Sequence, residues 1–268
     1  MDNSTKDNYL DSNRLKARKN FHEKYAKPLV NLNEEIYHSI KFLGNEKILD
    51  IGCGFGDLLK FFRNSGHNSE LVGIDISDGM IEEARLDNSN IKFSVADAEN
   101  MDFNDNSFDI VICKHALYHF NDIDKVINEV FRILKDNGKF IITINSLDSS
   151  SRENVQNMKQ FISKSLNNDN FLDSNIKVNF ENYKTFIHDN FRILKEIKIN
   201  RYMELNAKEP FLSYMDSFKE FWHPTPSEQD WKKAMSIVSN ELSKIIEKDS
   251  VIKETISTSI IVLEKIKN

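Results

Sequence analysis

Residues 47–57 read Lys-Ile-Leu-Asp-Ile-Gly-Cys-Gly-Phe-Gly-Asp, a short apolar run that passes into alternating glycines. An apolar run of this length before a glycine-rich turn predicts a buried strand, and the apolar residues at 58–62 predict that a helix follows. Because glycine has no Cβ, Gly52 and Gly54 allow positive φ angles and let a ligand approach the main chain. The stretch therefore predicts a strand, a turn and a helix around a nucleotide-like ligand. A methyl group added at either glycine is expected to occupy the ligand's space.

The acid Asp50 distinguishes this turn from a dinucleotide-binding turn. It lies two residues before the first glycine, and the spacing is Asp-x-Gly-x-Gly-x-Gly rather than Gly-x-Gly-x-x-Gly. This pattern resembles motif I of the class I S-adenosylmethionine-dependent methyltransferases. The cofactor of that family carries a sulfonium and an ammonium group, and an acid suits these cations better than it suits a pyrophosphate. A glycine-rich turn without a ligand is the alternative.

The order of strands and helices supports the resemblance over about 100 residues. Strands are predicted at 47–51, 70–75, 91–96, 108–113, 139–144, 192–199 and 251–264. By resemblance to the family, the fold is α/β. It is expected to be a doubly wound, mostly parallel seven-stranded Rossmann-like sheet with a reversed C-terminal hairpin and a helical lid.

Three parts of the chain are expected to have different roles in this fold. Residues 1–44 supply N-terminal helices that cover the cofactor cleft, and residues 45–147 form the S-adenosylmethionine-binding core. Residues 148–268 supply the lid insertions and the closing antiparallel strands of the same domain.

Three acids accompany three successive strands: Asp50, Asp75 and Asp97. Ligands of such sheets bind at the carboxyl ends of the strands, so Asp75 is predicted to accept hydrogen bonds from both ribose hydroxyls. By resemblance, Asp97 accepts from the adenine amine and the Ala98 main-chain N–H bonds a ring nitrogen. Each acid alone is typical of an ordinary turn, whereas three in this order and spacing favour cofactor binding.

The N-terminal helix is predicted over residues 13–25. One face of it carries Arg14, Arg18, Phe21, His22 and Tyr25. A helix that serves only the core would place aliphatic residues there, so we expect this helix to cover the cofactor, with Tyr25 or an arginine at the methionyl carboxylate. An exposed basic helix whose aromatics pack on the sheet is the alternative.

The predicted cofactor, S-adenosyl-L-methionine, is assigned one set of binding residues. Ile76 and Met80 are expected to flank the adenine ring. The complete set is Tyr25, Asp50, Gly52, Cys53, Gly54, Asp75, Ile76, Met80, Asp97, Ala98 and Lys114.

Candidate catalytic residues follow the fourth strand. His115 and His119 are candidates to take a proton from a nucleophilic oxygen or nitrogen, because a free imidazole titrates near neutral pH, while Tyr118 is a candidate to orient it. The alternative is that Tyr118 and His119 are packing residues in a helical turn. The Asn-Pro-Pro-Tyr motif of enzymes that methylate amino groups of nucleic acids is absent here, which disfavours modification of bases.

An aromatic segment at 207–223 is predicted to form the substrate chamber together with the N-terminal helix. Its aromatic residues are Phe211, Tyr214, Phe218, Phe221 and Trp222. Aromatic faces stabilise cationic or planar groups, which suits an acceptor beside a sulfonium. We expect the Trp222 indole to touch the substrate only. A dimer contact or the underside of a packed cap is the alternative.

Composition narrows the class of protein. The 268 residues carry a formal net charge of −6 without a lysine or arginine stripe, so no nucleic-acid partner is expected. Cys53 and Cys113 lack metal-ligand spacing, so no metal is expected and both are interpreted as reduced thiols of a cytoplasmic protein. No signal peptide or membrane segment is predicted.

The expected function is methyl transfer to an oxygen, nitrogen or carbon atom of a small-molecule acceptor, by a monomer or homodimer. Two alternatives remain within the same fold: an RNA-modifying methyltransferase, or an enzyme that uses a modified S-adenosylmethionine. A non-catalytic S-adenosylmethionine-binding protein is the alternative from a different class.

Overall fold

The structure is a computed structural model that describes residues 12–86, 90–146, 153–170, 178–187 and 190–266. For residues 12–15 it describes the backbone only, so the expectation for the Arg14 side chain lies outside the described residues.

A seven-stranded mixed sheet organises the molecule. Its strands are β1 Ile48–Ile51, β2 Leu71–Asp75, β3 Lys92–Val95, β4 Phe108–Lys114, β5 Leu134–Asn145, β6 Phe191–Leu205 and β7 Ile252–Lys265. The strand order is β3-β2-β1-β4-β5-β7-β6. Strands β1 to β5 are parallel, whereas β7 runs antiparallel to both β5 and β6. The predicted Rossmann-like sheet with a reversed C-terminal strand pair is confirmed.

Helices connect the strands and cover the sheet. They are α1 Ser12–Tyr25, α2 Leu32–Ser39, α3 Asp57–Asn64, α4 Asp78–Arg85, α5 Ile123–Ile133, α6 Glu153–Leu166, α7 Glu209–Asp216 and α8 Glu228–Asp249. Side-chain caps set several starts, because an N-cap oxygen satisfies a backbone N–H that has no partner within the helix. Ser77 caps α4 at the Met80 N–H, and Asp122 caps α5 at the Lys125 N–H.

The region between α5 and β5 differs from its prediction. The sequence pattern extends the helix to Lys135 and ends it at Asn137 and Gly138, but α5 ends at Ile133 and Leu134 already pairs with Phe108 of β4. The early start of β5 follows from this long-range pairing, which a local pattern does not contain. Asn137 adopts a positive φ of 60° inside the strand segment.

Apolar side chains form three clusters. One lies between the sheet and α5, around Leu49, Val130 and Phe140, and a second lies between the opposite face and α2 to α4, around Leu59 and Phe62. The third joins α1 with the segments from α6 to α8 and the outer ends of β6 and β7. This third cluster is called the cap cluster below. It gives the insertions after β5 a buried core of their own.

Candidate active site

The glycine turn after β1 adopts the backbone conformation that its sequence predicts. Gly52, Gly54 and Gly56 have φ angles of 68°, 54° and 74°, a region that side chains with a Cβ rarely adopt. A Cβ added at Gly52 would lie 2.5 Å from the Ala116 Cβ, so it would meet the loop after β4. Internal packing therefore requires glycine at this position, and the expectation that a methyl group there also occupies ligand space stays a prediction.

A cavity of about 350 Å³ lies at the carboxyl ends of the parallel strands. Twelve of the predicted site residues line it: Gly52, Cys53, Gly54, Asp75, Ile76, Met80, Asp97, Ala98, Lys114, His115, Tyr118 and His119. Asp50 and Tyr25, which were also predicted, do not belong to its wall. The volume falls in the range of small-molecule binding sites.

Asp75 lies at the carboxyl end of β2 with both side-chain oxygens oriented by the main chain. The Gly54 N–H donates to Oδ2 at 2.9 Å and the Ser77 N–H donates to Oδ1 at 3.0 Å. Burial raises the pKa of this carboxyl group above its ordinary value, and the backbone hydrogen bonds oppose the shift. Since a carboxylate oxygen accepts more than one hydrogen bond, the oriented group keeps acceptor capacity towards the cavity.

Asp97 and Ala98 occupy the corresponding position after β3. The Asp97 Oδ1 accepts from the Glu99 N–H at 2.9 Å, which fixes the carboxylate beside the turn. Met80 and Ile76 provide apolar wall between Asp75 and Asp97. The pattern of an acid, an apolar wall and a second acid is complementary to a sugar with a flat heterocycle.

Asp50 lies beneath the turn and is 1% exposed. No described residue donates a hydrogen bond to its Oδ1. Burial raises the pKa of this carboxyl group to about 8, and the nearby charges of Asp57 and Asp75 act in the same direction, against the effect of Lys114. Asp50 is thus a buried acid behind the cavity, held apart from direct contact with an occupant.

Asp57, the first residue of α3, joins three elements around the turn. Its carboxylate accepts from Lys114 Nζ at 3.0 Å and from Lys19 Nζ at 2.9 Å, and Asn33 Nδ2 donates to it at 3.2 Å. Burial alone would raise the pKa of Asp57, but the two ammonium groups lower it well below its ordinary value. The predicted cofactor residue Lys114 therefore has its charge matched within the protein.

The loop after β4 brings the three candidate catalytic residues to the cavity. His115 has a positive φ of 53°, and its N–H donates to Thr143 Oγ1 at 2.9 Å. The chain then forms a single 3-10 turn, Leu117–His119, in which the Tyr118 and His119 rings lie 4.4 Å apart between centroids. All three side chains are half-buried, and strained backbone of this kind occurs often at functional sites.

Helix α1 contributes to the cavity with residues other than Tyr25. Arg18, Lys19 and His22 line it, whereas Tyr25 lies against Phe21 with 5.4 Å between ring centroids. Arg18 Nη1 donates to the Ser217 carbonyl at 2.8 Å, so α1 is tied to the cap as well as to Asp57. The predicted covering position of the helix agrees with this geometry, and the predicted carboxylate contact of Tyr25 does not.

The aromatic segment divides between the cavity and the cap cluster. Tyr214, Phe218 and Phe221 line the cavity, but Phe211 and Trp222 do not. Trp222 is fully buried, packs against Trp231 and donates from Nε1 to the Asn168 carbonyl at 3.3 Å. The expectation that its indole touches only the substrate is therefore wrong, because the alternative of a packed cap describes this residue.

Three further lining residues come from the sheet and were not predicted. They are Asn145 at the end of β5, Arg201 on β6 and Thr258 on β7. Thr258 Oγ1 donates to Asn145 Oδ1 at 3.0 Å. Strand register alone brings them together, and no short motif marks any of them.

Comparison with known proteins agrees with the fold. Residues 49–142 match a family model described as a methyltransferase domain. The chain belongs to the class I S-adenosylmethionine-dependent methyltransferases. It is 31% identical over 206 residues to the uncharacterized protein MJ0638 of Methanocaldococcus jannaschii, covering 71% of this chain and 88% of that protein.

Two further relatives match about a third of this chain. An uncharacterized methyltransferase, YcgJ of Bacillus subtilis, is 37% identical over 101 residues. The ubiquinone/menaquinone biosynthesis C-methyltransferase UbiE of Rickettsia prowazekii is 37% identical over 107 residues. Each match covers 36% of this chain, and the matched segments span 39% of YcgJ and 43% of UbiE. The crystal structure of YcgJ superimposes with a TM-score of 0.59 at 20% identity, covering 88% of this chain and 98% of YcgJ, which shows the shared fold.

Within residues 12–86, 90–146, 153–170, 178–187 and 190–266, no helix combines the length and the apolar character needed to cross a bilayer.

Proposed function

We propose that this methyltransferase acts on a small-molecule acceptor that binds in the same cavity as S-adenosyl-L-methionine. One observation carries the proposal. One cavity is lined by Asp75 and Asp97 after β2 and β3, by the loop from His115 to His119 after β4, and by the aromatic residues Tyr214 and Phe218. A cavity whose wall combines strand-end acids with an aromatic segment suits a nucleotide-like ligand and a second small ligand beside it.

The residues that would hold S-adenosyl-L-methionine follow from the chemistry of the wall. Asp75 would accept from the ribose hydroxyls, and Asp97 with the Ala98 N–H would bond the adenine edge, while Ile76 and Met80 would contact its faces. The turn from Gly52 to Gly54 would pass close to the methionyl part. When bound, the cofactor supplies an electrophilic methyl group. Asp50 would lie behind this site as a buried carboxyl group whose raised pKa favours its protonated form near neutral pH.

The loop after β4 would act on the acceptor. His119 and His115 are the candidate bases for a proton that an oxygen or nitrogen nucleophile loses, and Tyr118 is the candidate to orient the nucleophile. Holding two reactants in line and excluding water supplies much of the barrier reduction in such transfers, so the residues that position the acceptor matter as much as a base.

The relatives support a small acceptor. UbiE is named as a C-methyltransferase of ubiquinone and menaquinone biosynthesis, and its match covers 36% of this chain. The acceptor of this protein is therefore proposed from its own cavity, and the relatives support only that the acceptor is a small molecule.

Two measurements test the proposal. Isothermal titration with S-adenosyl-L-methionine and with NAD is expected to give binding of the first only, and binding of NAD alone would contradict the cofactor assignment. Incubation of the enzyme with methyl-labelled cofactor and a cell extract, followed by mass spectrometry, is expected to label small metabolites. Label found only in RNA, or in nothing despite tight cofactor binding, would contradict the proposed function in favour of an RNA methyltransferase or a non-catalytic binding protein.

A further inference from the structure

Helix α1 forms part of the cavity wall and connects the core with the cap. Arg18, Lys19, His22 and Glu23 line the cavity, and their spacing places them on one face of the helix. The glycine turn after β1 and the aromatic segment of the cap line the same cavity. The contacts that attach α1 to each side therefore bear on how a ligand enters.

Two lysines attach α1 to the core. Lys19 Nζ donates to the Asp57 carboxylate at 2.9 Å. Lys16 forms an ion pair with Glu83 of α4. Both ammonium groups also lie over the Phe55 ring, that of Lys19 at 5.4 Å and that of Lys16 at 5.9 Å from the ring centroid. Since a cation–π contact is electrostatic as well, this attachment depends on the charges of the two side chains.

The partners of these lysines lie around the space proposed for the cofactor. Phe55 belongs to the glycine turn, Asp57 begins α3, and both line the cavity. Glu83 lies three residues after Met80 on α4, so the two side chains are neighbours on that helix, and Met80 lines the cavity. The lysines thus fasten α1 to the turn proposed for the methionyl part and to the helix proposed to contact the adenine.

Packed rings attach α1 to the cap. Phe21 is buried and stacks on Tyr214 of α7, with 4.4 Å between the ring centroids. Phe21 belongs to the cap cluster, and Tyr25 packs against it. Among the described side chains of α1, at residues 16–25, none belongs to either of the two clusters on the sheet. Apolar burial therefore joins α1 to the cap.

The two attachments respond differently to water and salt. The side chains of Lys16 and Lys19 are 42% and 37% exposed, and ion pairs of such exposure contribute little to stability and are screened by salt. Packing of buried rings depends on apolar area, which salt does not screen. The attachment to the core is the weaker one.

Release of Lys19 leaves no unmatched charge in the cavity wall. The Asp57 carboxylate also accepts from Lys114 Nζ at 3.0 Å and from Asn33 Nδ2 at 3.2 Å, so it keeps a cation and a hydrogen-bond donor. Lys19 is hydrated when it leaves, and it is already partly exposed. At the end of α1, backbone hydrogen bonds of 2.7 and 2.8 Å between Lys27 and Tyr202 keep the chain on β6.

We propose that α1 is a lid that opens by breaking its two lysine ion pairs with the core while it stays packed on the cap. Opening on this side uncovers the space between the glycine turn and α4, and the lid thereby controls the entry of S-adenosyl-L-methionine and the release of S-adenosyl-L-homocysteine. This inference rests on the proposed function, since that function places the cofactor in this space.

Binding kinetics of S-adenosyl-L-homocysteine, measured by stopped flow, test the lid. Lys19→Met is expected to raise the association and the dissociation rate constants together, each at least about threefold, and to leave the dissociation constant within about twofold, because a looser lid speeds passage in both directions. Lys24→Met removes the same charge from an exposed position of α1 outside the cavity wall, and is expected to change neither rate. A faster dissociation alone, with an equal loss of affinity, would make Lys19 a ligand of the cofactor and overturn the lid.

Salt provides a second kinetic readout on the natural protein. Both rate constants are expected to rise at least about twofold between about 0.05 M and about 0.5 M sodium chloride, and Lys19→Met is expected to lose most of this dependence. Rates that do not respond to salt would overturn the lid. Failure of the natural protein to bind S-adenosyl-L-homocysteine contradicts the proposed function, whereas normal binding with unchanged rates in Lys19→Met overturns only the lid.

Distances between spin labels test the direction of opening. Asn20→Cys on α1 is combined with Glu82→Cys on α4 or with Lys232→Cys on α8, at three exposed positions, and the native Cys53 and Cys113 are buried. The pair to α4 is expected to show a second, longer distance without ligand that S-adenosyl-L-homocysteine suppresses, and the pair to α8 a single distance. One distance in both pairs, or a second distance to α8 instead, would overturn the proposed opening.

Discussion

The two ends of the cavity are built in different ways. The end proposed to hold the nucleotide, called the nucleotide end, is lined by Gly52, Gly54, Asp75 and Asp97, all within 46 residues of chain and all at the ends of parallel strands. The part proposed to hold the acceptor, called the acceptor end, is lined by Arg18 from the first described helix and Thr258 from the last strand. One end is therefore assembled by neighbouring strand-turn-helix units, and the other by strand register and the cap cluster.

This difference explains where sequence patterns carry functional information. A turn that must hold a ligand constrains consecutive residues, so its glycines and acids recur at short spacing. A wall made of distant segments constrains only the residue facing the cavity in each segment. Substitutions at each end test whether the two ends respond differently in stability and in ligand affinity, as their different construction implies.

The largest expected effect is on the stability of the cap cluster, which supports the acceptor end. Trp222→Ala removes a fully buried indole from the cap cluster and is expected to cost about 3 to 5 kcal/mol in the free energy of unfolding. Urea denaturation measures it. Tyr202→Ala is the control, because Tyr202 is 50% exposed and its loss is expected to cost far less. A stable Trp222 variant with a raised KM for the acceptor would return this residue to the substrate chamber.

The next effect concerns packing at the nucleotide end. Gly52→Ala combines a positive φ with a Cβ 2.5 Å from Ala116, and is expected to lower the free energy of unfolding by about 2 to 4 kcal/mol. Gly44→Ala is the matched control, since Gly44 has a φ of 89° but no atom within 4 Å of an added Cβ. Equal thermal shifts in the two variants would mean that the contact with Ala116 is not what requires glycine.

A smaller effect separates cofactor affinity from stability. Asp75→Ala removes the oriented carboxylate and is expected to weaken S-adenosyl-L-methionine binding at least about tenfold, because a hydrogen bond to a charged group contributes about 1.5 to 3 kcal/mol. Calorimetry measures the dissociation constant. The exposed acid Asp78 on the next helix supplies a control in Asp78→Ala. An unchanged constant for the Asp75 variant would place the ribose elsewhere.

The last effect is a pH dependence beneath the glycine turn. Burial raises the pKa of Asp50 from 3.8 to about 8 in the folded protein, so between these values the folded state holds a proton that the unfolded state has lost. The contribution of Asp50 to stability therefore falls as pH rises, by about 1.4 kcal/mol per pH unit. Asp50→Asn removes this slope.

Unfolding of the two proteins at several pH values measures the Asp50 contribution. The stability of Asp50→Asn relative to the natural protein is expected to increase from about pH 5 to about pH 7. Parallel pH curves would show that Asp50 ionises in the folded protein much as it does in the unfolded chain.

The nucleotide end could be predicted largely from short patterns. The turn at Gly52 and Gly54, the strand ending at Asp75 and the acid Asp97 all lie where local spacing places them. Tyr25 and Trp222 were placed incorrectly for one reason. Each lies in a segment whose aromatic residues are divided between the cavity wall and the cap cluster. The spacing of the residues does not determine which aromatic side chain lines the cavity and which packs in the cluster.

The amino-acid sequence by itself determined the α/β class, the glycine turn and the order of ligand acids, because each depends on interactions within a few residues of chain. Tertiary structure decided the pairing of β7 with β5 and β6, the partition of the aromatic segment, and the meeting of Asn145, Arg201 and Thr258. These depend on which distant strands pair and in which register. A shift of one residue in the register of β7 would turn Thr258 to the other face of the sheet, away from Asn145 and Arg201.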